Sequence, residues 1–408
     1  MKSNLYLLPK HYFWVAMLAA QILSALLFKD LADISQWVIQ SPREGTMWVW
    51  YNRWPIAITA VVAFGIASYF KLCQRNIVSN NTFIFLLCLF SFTFYSGMIN
   101  PHIMMRARMD DGVFLSVAQA AKYVEPTESV IVLEINGKAR AHSDKQLLRP
   151  HVAGNGKLGG ENVVMTYCGL TNLGMAYTPE INGQSLDLAP MTQLENNLVM
   201  YDKNSGEPIQ QLWGQKEADI NKETEARMRE WPTYRMPFNK FALAFPDGEV
   251  FVNDYLIDDM KPNFTDNPFL AIYDPIMELI FDHAIQDQAT NVEPTFPTIK
   301  HIDNRLPSKE KIYGVNVGDD YVAYTKGFVM AQAKPINVNI GGKAIVISYD
   351  EAYESLGIFY NHTGKAISKI DFYGDTEFGT LERVETVKAG AYWIIWANFF
   401  PETQINRV

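Results

Sequence analysis

The sequence predicts three transmembrane helices at the amino end, followed by a mainly β (β with minor α), internally duplicated soluble domain. Three observations carry this. Three charge-free apolar runs fall within the first hundred residues, strand-like segments with Asn-Gly and Gly-Gly turns fill the rest, and one such stretch returns after 182 residues. The expected organisation is a three-helix membrane anchor over 1–100 and a first β repeat over 101–250. An insert or linker over 251–308 and a second repeat over 309–408 complete it. A chain of 408 residues, 48% hydrophobic and 13% aromatic, has ample material for a core. Mean hydropathy is close to zero, an average over two unlike halves. A net charge of −9 without a basic stripe or RNA-binding signature argues against nucleic acid as a partner.

The apolar runs are Tyr12–Phe28, Trp54–Phe70 and Phe83–Ile99, each of 17 residues. That is near the lower limit for crossing a hydrocarbon core of about 30 Å. Tyr12, Trp14, Trp54, Tyr69 and Tyr95 sit near their ends, as amphipathic rings do at a membrane interface. The first run is long for a signal-peptide core and lacks a small-x-small cleavage site, so it is read as a retained helix. An inside amino terminus places Lys2, Lys10, Lys71 and Arg75 inside, against Lys29, Arg43, Arg53, Arg106 and Arg108 outside. The bias is small. Three spans in that sense put everything after Ile99 outside. The expected location is a bacterial inner membrane with an extracytoplasmic large domain, and the expected partners are the lipid bilayer and a membrane protein complex.

Beyond residue 100 the pattern becomes strands, turns and scattered charge. Glu128–Cys168 and Glu310–Asp350 align without a gap. Ala141/Ala323, Asn155/Asn337, Gly159/Gly341, Gly160/Gly342, Val164/Val346 and Tyr167/Tyr349 coincide, and FALAFPDGEV (Phe241–Val250) resembles WANFFPETQI (Trp396–Ile405). A period this long suits two copies of a small domain rather than a solenoid or propeller. VIVLEI, NGKA and RAH predict a hairpin with an Asn-Gly turn. Asn196–Gln215 predicts strand, Asn/Ser/Gly turn and strand, ending in Trp213, which is expected in the core. Helical periodicity is confined to short stretches such as Lys216–Glu230 and Asp274–Ile285.

Cys168 ends the strand VVMTYC and is the sole cysteine of the large domain, because Cys73 and Cys88 belong to the apolar segments. A disulfide within the domain is thereby excluded. The second copy has Asp350, Ala333 and Tyr324 where the first has Cys168, His151 and His142. Donor side chains are thus concentrated in the first copy, a pattern that fits one active and one structural copy, and equally fits drift. Three readings stay open. The sharpest is a metal site with Cys168 as anionic ligand, His151 as nitrogen ligand, and Met175 or His142 as a third, a donor set suited to copper or zinc. A second is a thiol-dependent enzyme, with Cys168 as nucleophile and His151 as base. The third leaves Cys168 as a buried, inert thiol in a non-catalytic scaffold that binds a partner protein or saccharide. His102, Met104, Met105 and Met109 form another sulfur-rich group beside the third helix. Asn263-Phe-Thr and Asn361-His-Thr match glycosylation acceptors, and no phosphate loop, dinucleotide fingerprint, G-x-S-x-G elbow or H-E-x-x-H pair occurs.

EINGKARA, VVMTYC, LVMYDKNSG leading to LWGQ, and FPDGEV, in that order, resemble the DUF3179 domain family over about Glu128–Val250. The resemblance returns from IYGVNVGDDYVAY onward. It implies a strand ending Tyr-Cys-Pro-Leu, a histidine shortly upstream and a Trp-Ser-Gln tripeptide. Here these are Tyr167, Cys168, Gly169 and Leu170; His151; and Trp213, Gly214 and Gln215. Glycine replaces the proline at 169 and the serine at 214, so a hydroxyl role at 214 is excluded. The resemblance implies an exported or membrane-attached protein and brings no activity.

Overall fold

The computed structural model describes residues 7–36, 38–39, 41–98, 106–220, 226–257, 260–261, 263–295 and 297–407. The chain divides into two compact units. One comprises Met1–Ile103 with Met191–Leu194 and Phe296–Thr298, and the other comprises the remainder.

The first unit is built on α1 (Leu7–Leu31), α2 (Arg43–Cys73) and α3 (Asn80–Met98). All three are long and apolar enough to cross a membrane. α1 and α2 extend past their charge-free runs at both ends, taking in flanking charges such as Lys10, Lys29 and Lys71. The helices meet at small residues. Ala20, Ala60 and Ala63 pack with Phe90, and a Cβ at Gly97 would lie 2.7 Å from the Leu27 backbone. Small side chains let helix backbones approach where lipid supplies no hydrophobic drive. The Thr93 hydroxyl donates to Ser24 Oγ across the α1–α3 contact at 2.9 Å. Val15, Leu18, Ile22, Ile58, Val62 and Phe85 point outward, the reverse of a water-soluble bundle.

The second unit is mostly β with minor α. Its first half has β1 (Phe114–Ser116), β2 (Ser129–Ile135), β3 (Lys138–Ser143), a one-turn helix α4 (Asp144–Leu147), β4 (Val152–Leu158), β5 (Glu161–Cys168) and β6 (Leu173–Tyr177). There follow β7 (Asn197–Asp202), β8 (Pro208–Gln210), β9 (Gln215–Lys216), β10 (Glu230–Trp231), β11 (Thr233–Pro237), α5 (Phe238–Ala244) and β12 (Glu249–Phe251). One sheet runs β1-β12-β3-β2-β11 and a second runs β10-β6-β5-β4. The β2–β3 turn is Asn136-Gly137, with φ of 51° and 73°, the left-handed pair that a tight hairpin requires. β2 is continuously apolar and buried from Val130 to Leu133 because both of its faces are covered there. Val130 and Val132 join one core with Tyr234, Phe238 and Phe241, while Ile131, Leu133 and Ile135 join another with Met165, Tyr167 and Trp231. Strands buried on both faces lose the apolar–polar alternation.

Next in the chain comes α6 (Pro268–Thr290), opened by Asn267, whose Oδ1 accepts from the Leu270 amide at 3.1 Å. It is longer than the Asp274–Ile285 periodicity because Pro268 at its first turn suits a helix start. The last part has β13 (Lys311–Val317), β14 (Asp320–Thr325), α7 (Lys326–Met330), β15 (Ile336–Ile340), β16 (Lys343–Asp350), β17 (Ser355–Tyr360), β18 (Val387–Tyr392), α8 (Trp393–Phe399) and β19 (Gln404–Asn406). Its sheets run β18-β13-β14-β19 and β15-β16-β17.

One expectation needs correction. No α-helix forms over Lys216–Glu230 among the described residues. Lys216 and Glu230 lie in short strands, and Glu217–Asp219 is a single 3-10 turn. The charged segment has helix-forming residues but no apolar stripe to bury, and propensity alone is a weak determinant.

Candidate functional site

Cys168 is the last residue of β5 and is 0% exposed. The turn that follows it is fastened from several directions. The Gly169 position admits no Cβ, since one would lie 2.3 Å from Ile285 Cδ1 of α6. Gln288, one turn further along α6, donates to the Leu170 carbonyl at 2.5 Å. Asn172, at φ 57°, donates to the Gly390 carbonyl at 2.7 Å, and its own carbonyl accepts from Arg235 at 2.9 Å. The Tyr392 amide donates to the Thr171 carbonyl at 3.0 Å.

A buried polar network surrounds the thiol. The Thr171 hydroxyl lies 2.7 Å from the Asn196 carbonyl and 3.5 Å from Cys168 Sγ, and the thiol itself points at that carbonyl from 3.7 Å. Asn197 Nδ2 donates to Thr171 Oγ1 at 3.0 Å and to Gln211 Oε1 at 3.1 Å. Gln211 Nε2 donates in turn to Thr166 Oγ1 at 3.1 Å. Burial pushes the Cys168 thiol pKa up, against the lowering effect of the Thr171 hydroxyl and neighbouring amides. At neutral pH the group is therefore a thiol, not a thiolate. Sequence reasoning missed Thr171, Asn197 and Gln211. Their only linear signal is polar residues inside apolar strands, which becomes meaningful once burial is known.

The other candidates have different neighbours. The His151 ring packs edge-on against Tyr167 at 6.4 Å and against Phe281 at 6.0 Å between centroids. His142 packs against Phe114 at 5.6 Å and Phe251 at 6.1 Å. Tyr167 and Cys168 are consecutive on β5, so their side chains leave opposite faces of the sheet. His151 lies with the Tyr167 ring, whereas Met175, paired across from Thr166, shares the Cys168 face. Met175 Sδ accepts from the Tyr177 hydroxyl at 3.6 Å. The structure thus groups the two sulfurs on one face, and His151 with Tyr167 on the other. Among the described residues, no three His, Cys, Asp or Glu side chains gather as metal ligands. Of the His102, Met104, Met105 and Met109 group, only Met109 falls within the described residues.

Both histidines are buried and neutral. Burial lowers His142 to about 3 and His151 to about 4. In each, Nδ1 is buried without a hydrogen-bond partner among the described residues. His151 also holds φ 64°, a left-handed conformation in which histidine is among the enriched non-glycine residues. Trp213 packs edge-on against Phe399 at 5.2 Å. Gly214 beside it, at φ 62°, has no room for a side chain because a Cβ would lie 2.8 Å from the Tyr177 ring.

The family model described as a protein of unknown function, DUF3179, matches residues 101–403. No curated protein and no solved structure matches the chain.

Proposed function

The chain belongs to the DUF3179 family, and we propose that it is a membrane-anchored, non-catalytic binding protein in which Cys168 is a structural thiol. The observation that carries this reading is the complete burial of a thiol whose pKa is raised by that burial. A nucleophile needs a lowered pKa and access to substrate. The α6 contacts at Gly169 and Leu170 close the same end of the strand against solvent.

Alkylation tests it. In full-length protein carrying Cys73→Ser and Cys88→Ser, Cys168 reacts with iodoacetamide at least a hundredfold slower when folded than when unfolded in urea. Equal rates would refute the structural reading and favour the nucleophile.

The same proposal places the amino terminus inside and the β domain outside a bacterial inner membrane, since three spans put the two ends on opposite sides. It also treats the β domain as duplicated. What supports duplication is the shared element order: hairpin, one-turn helix, three-stranded meander, and a closing strand–helix–strand. In both, the last strand runs parallel to the second hairpin strand, β12 with β3 and β19 with β14.

A second reading retains copper or zinc, with Cys168 and His151 as ligands and His142 or Met175 completing the set. The partnerless Nδ1 atoms of His142 and His151 favour it, because a neutral imidazole is the ligating form. It requires rearrangement around Tyr167 to bring imidazole and thiol together. Metal analysis after copper or zinc loading is expected to give less than one equivalent per chain. One tightly held equivalent, lost in both Cys168→Ala and His151→Ala, would establish the metal reading instead.

A further inference from the structure

The first half of α6 is apolar on both of its faces. Asp274, Met277 and Phe281 recur three and four residues apart and face the β domain. Asp274 and Met277 are buried, and the Phe281 ring lies 6.0 Å from that of His151. Ile272, Ile276 and Leu279 recur at the same helical spacing on the opposite side, and each is more than half exposed. A surface helix of a water-soluble domain turns charged and polar residues outward, and one that is apolar all round is covered by something. The stripe stops where His283 and Gln286, both exposed, take over the outer face. Met260 and Phe264, ahead of the helix, are also more than half exposed. Among the described residues beyond Ile103, five of the eleven exposed large hydrophobics thus fall between 260 and 279.

The fastening of α6 points to what covers the stripe. The Asp274 carboxylate accepts from Arg106 at 2.5 Å and from Arg149 at 2.8 Å, and its backbone carbonyl accepts from Arg149 Nη1 at 3.1 Å. Arg106 follows Met98, the last residue of α3, by eight positions, a stretch of chain that reaches at most about 29 Å. Ile272 and Ile276 flank Asp274 in sequence. The apolar face is therefore leashed, through an ion pair, to the end of a helix long enough to cross a membrane. α6 carries no lysine or arginine, and Glu278 and Asp282 border the stripe. Contact with lipid would rest on apolar burial, not on attraction to anionic headgroups.

We propose that the first half of α6 lies in the interfacial layer of the bilayer that α1, α2 and α3 cross, with Ile272, Ile276 and Leu279 among lipid at the headgroup–acyl boundary. The inference rests on the membrane-anchored reading and adds a lateral attachment that sets which side of the β domain meets the lipid surface.

The test is fluorescence quenching of the full-length protein in phosphatidylcholine nanodiscs. In the Cys73→Ser, Cys88→Ser background, Ile276→Cys and Leu279→Cys each receive a nitrobenzoxadiazole label, and Phe85→Cys on α3 serves as the membrane reference. All three positions are exposed, so the substitutions leave the packing intact. The protein without an added cysteine supplies the background from Cys168. Lipid carrying a nitroxide at the depth an interfacial helix reaches, about 5–10 Å, is expected to remove at least half of the fluorescence at both α6 positions. Aqueous iodide is expected to remove little, and adding phosphatidylglycerol to leave the quenching unchanged. Full access to iodide without nitroxide quenching overturns the proposal and leaves the face in water. Protection from both quenchers also overturns it and assigns the stripe to protein, a second copy of the chain or another subunit. A requirement for phosphatidylglycerol overturns the apolar basis of the contact. Nitroxide quenching at Phe85→Cys with none on α6 refutes the lateral contact alone, whereas its absence at Phe85→Cys refutes the membrane-anchored reading itself.

Discussion

Arg235→Ala is expected to destabilise the β domain by about 3–5 kcal/mol, the loss typical when one partner of a buried ion pair is removed. Arg235 comes from β11 and reaches three parts of the chain. Its Nη1 donates to both Asp144 carboxylate oxygens at 2.9 and 2.7 Å, its Nε to the Ala389 carbonyl at 2.8 Å, and its Nη2 to the Asn172 carbonyl at 2.9 Å. Truncation leaves a half-buried carboxylate and two carbonyls without their donor, together with the void of the lost side chain. The site is fitted closely. Gly390, at φ 86°, would place a Cβ 2.6 Å from Arg235 Nε, so Gly390→Ala should also destabilise. The measurement is the urea midpoint of the full-length protein in detergent, followed by near-ultraviolet circular dichroism. A loss below about 1 kcal/mol for Arg235→Ala would mean that the clamp contributes no more than an exposed pair.

Arg235 also shows where the sequence stops being informative. The three long apolar helices were legible because a run of apolar residues without charge has few other uses. The β2–β3 hairpin was legible because Asn136-Gly137 encodes its own turn. Likewise Gly159-Gly160 marked a turn whose first residue sits against the backbone, where a Cβ would lie 2.3 Å from the Ile135 carbonyl oxygen. These are local signals. Arg235 pairs with a residue 91 positions away, and nothing in YRMPF announces the partner.

The thiol site was legible in the same partial way. The strand ending at Cys168 was evident, and so was its lack of a disulfide partner. That Cys168 and the Tyr167-packed His151 leave opposite faces of a sheet follows from period-two alternation, once β5 is known to extend through residue 168. The closing of that end by Ile285 and Gln288 was not legible, because it comes from a helix more than a hundred residues downstream.

Acidification should unfold the β domain through its two buried histidines. His142 and His151 have folded pKa values of about 3 and 4, set first by burial, with the charges of Arg140 and Arg149 respectively lowering them further. In the unfolded chain each returns to about 6.5. Between these values the unfolded state binds more protons, so stability is fully present above about pH 6.5 and falls as the pH drops toward 4. At about 1.4 kcal/mol per unit, full passage through the window costs about 3 kcal/mol for His151 and about 5 kcal/mol for His142. Together they rival the whole stability of a typical domain. The urea midpoint should therefore fall steeply between pH 6.5 and 4, above the range in which most carboxylates titrate. His151→Asn keeps a side chain that tolerates positive φ, and His142→Leu keeps an apolar fill beside Phe114 and Phe251. Each is expected to flatten the slope by its own share, and the double variant to abolish most of it. A double variant as acid-sensitive as the parent would assign the acid transition to other groups and leave both imidazoles without a measurable burial penalty.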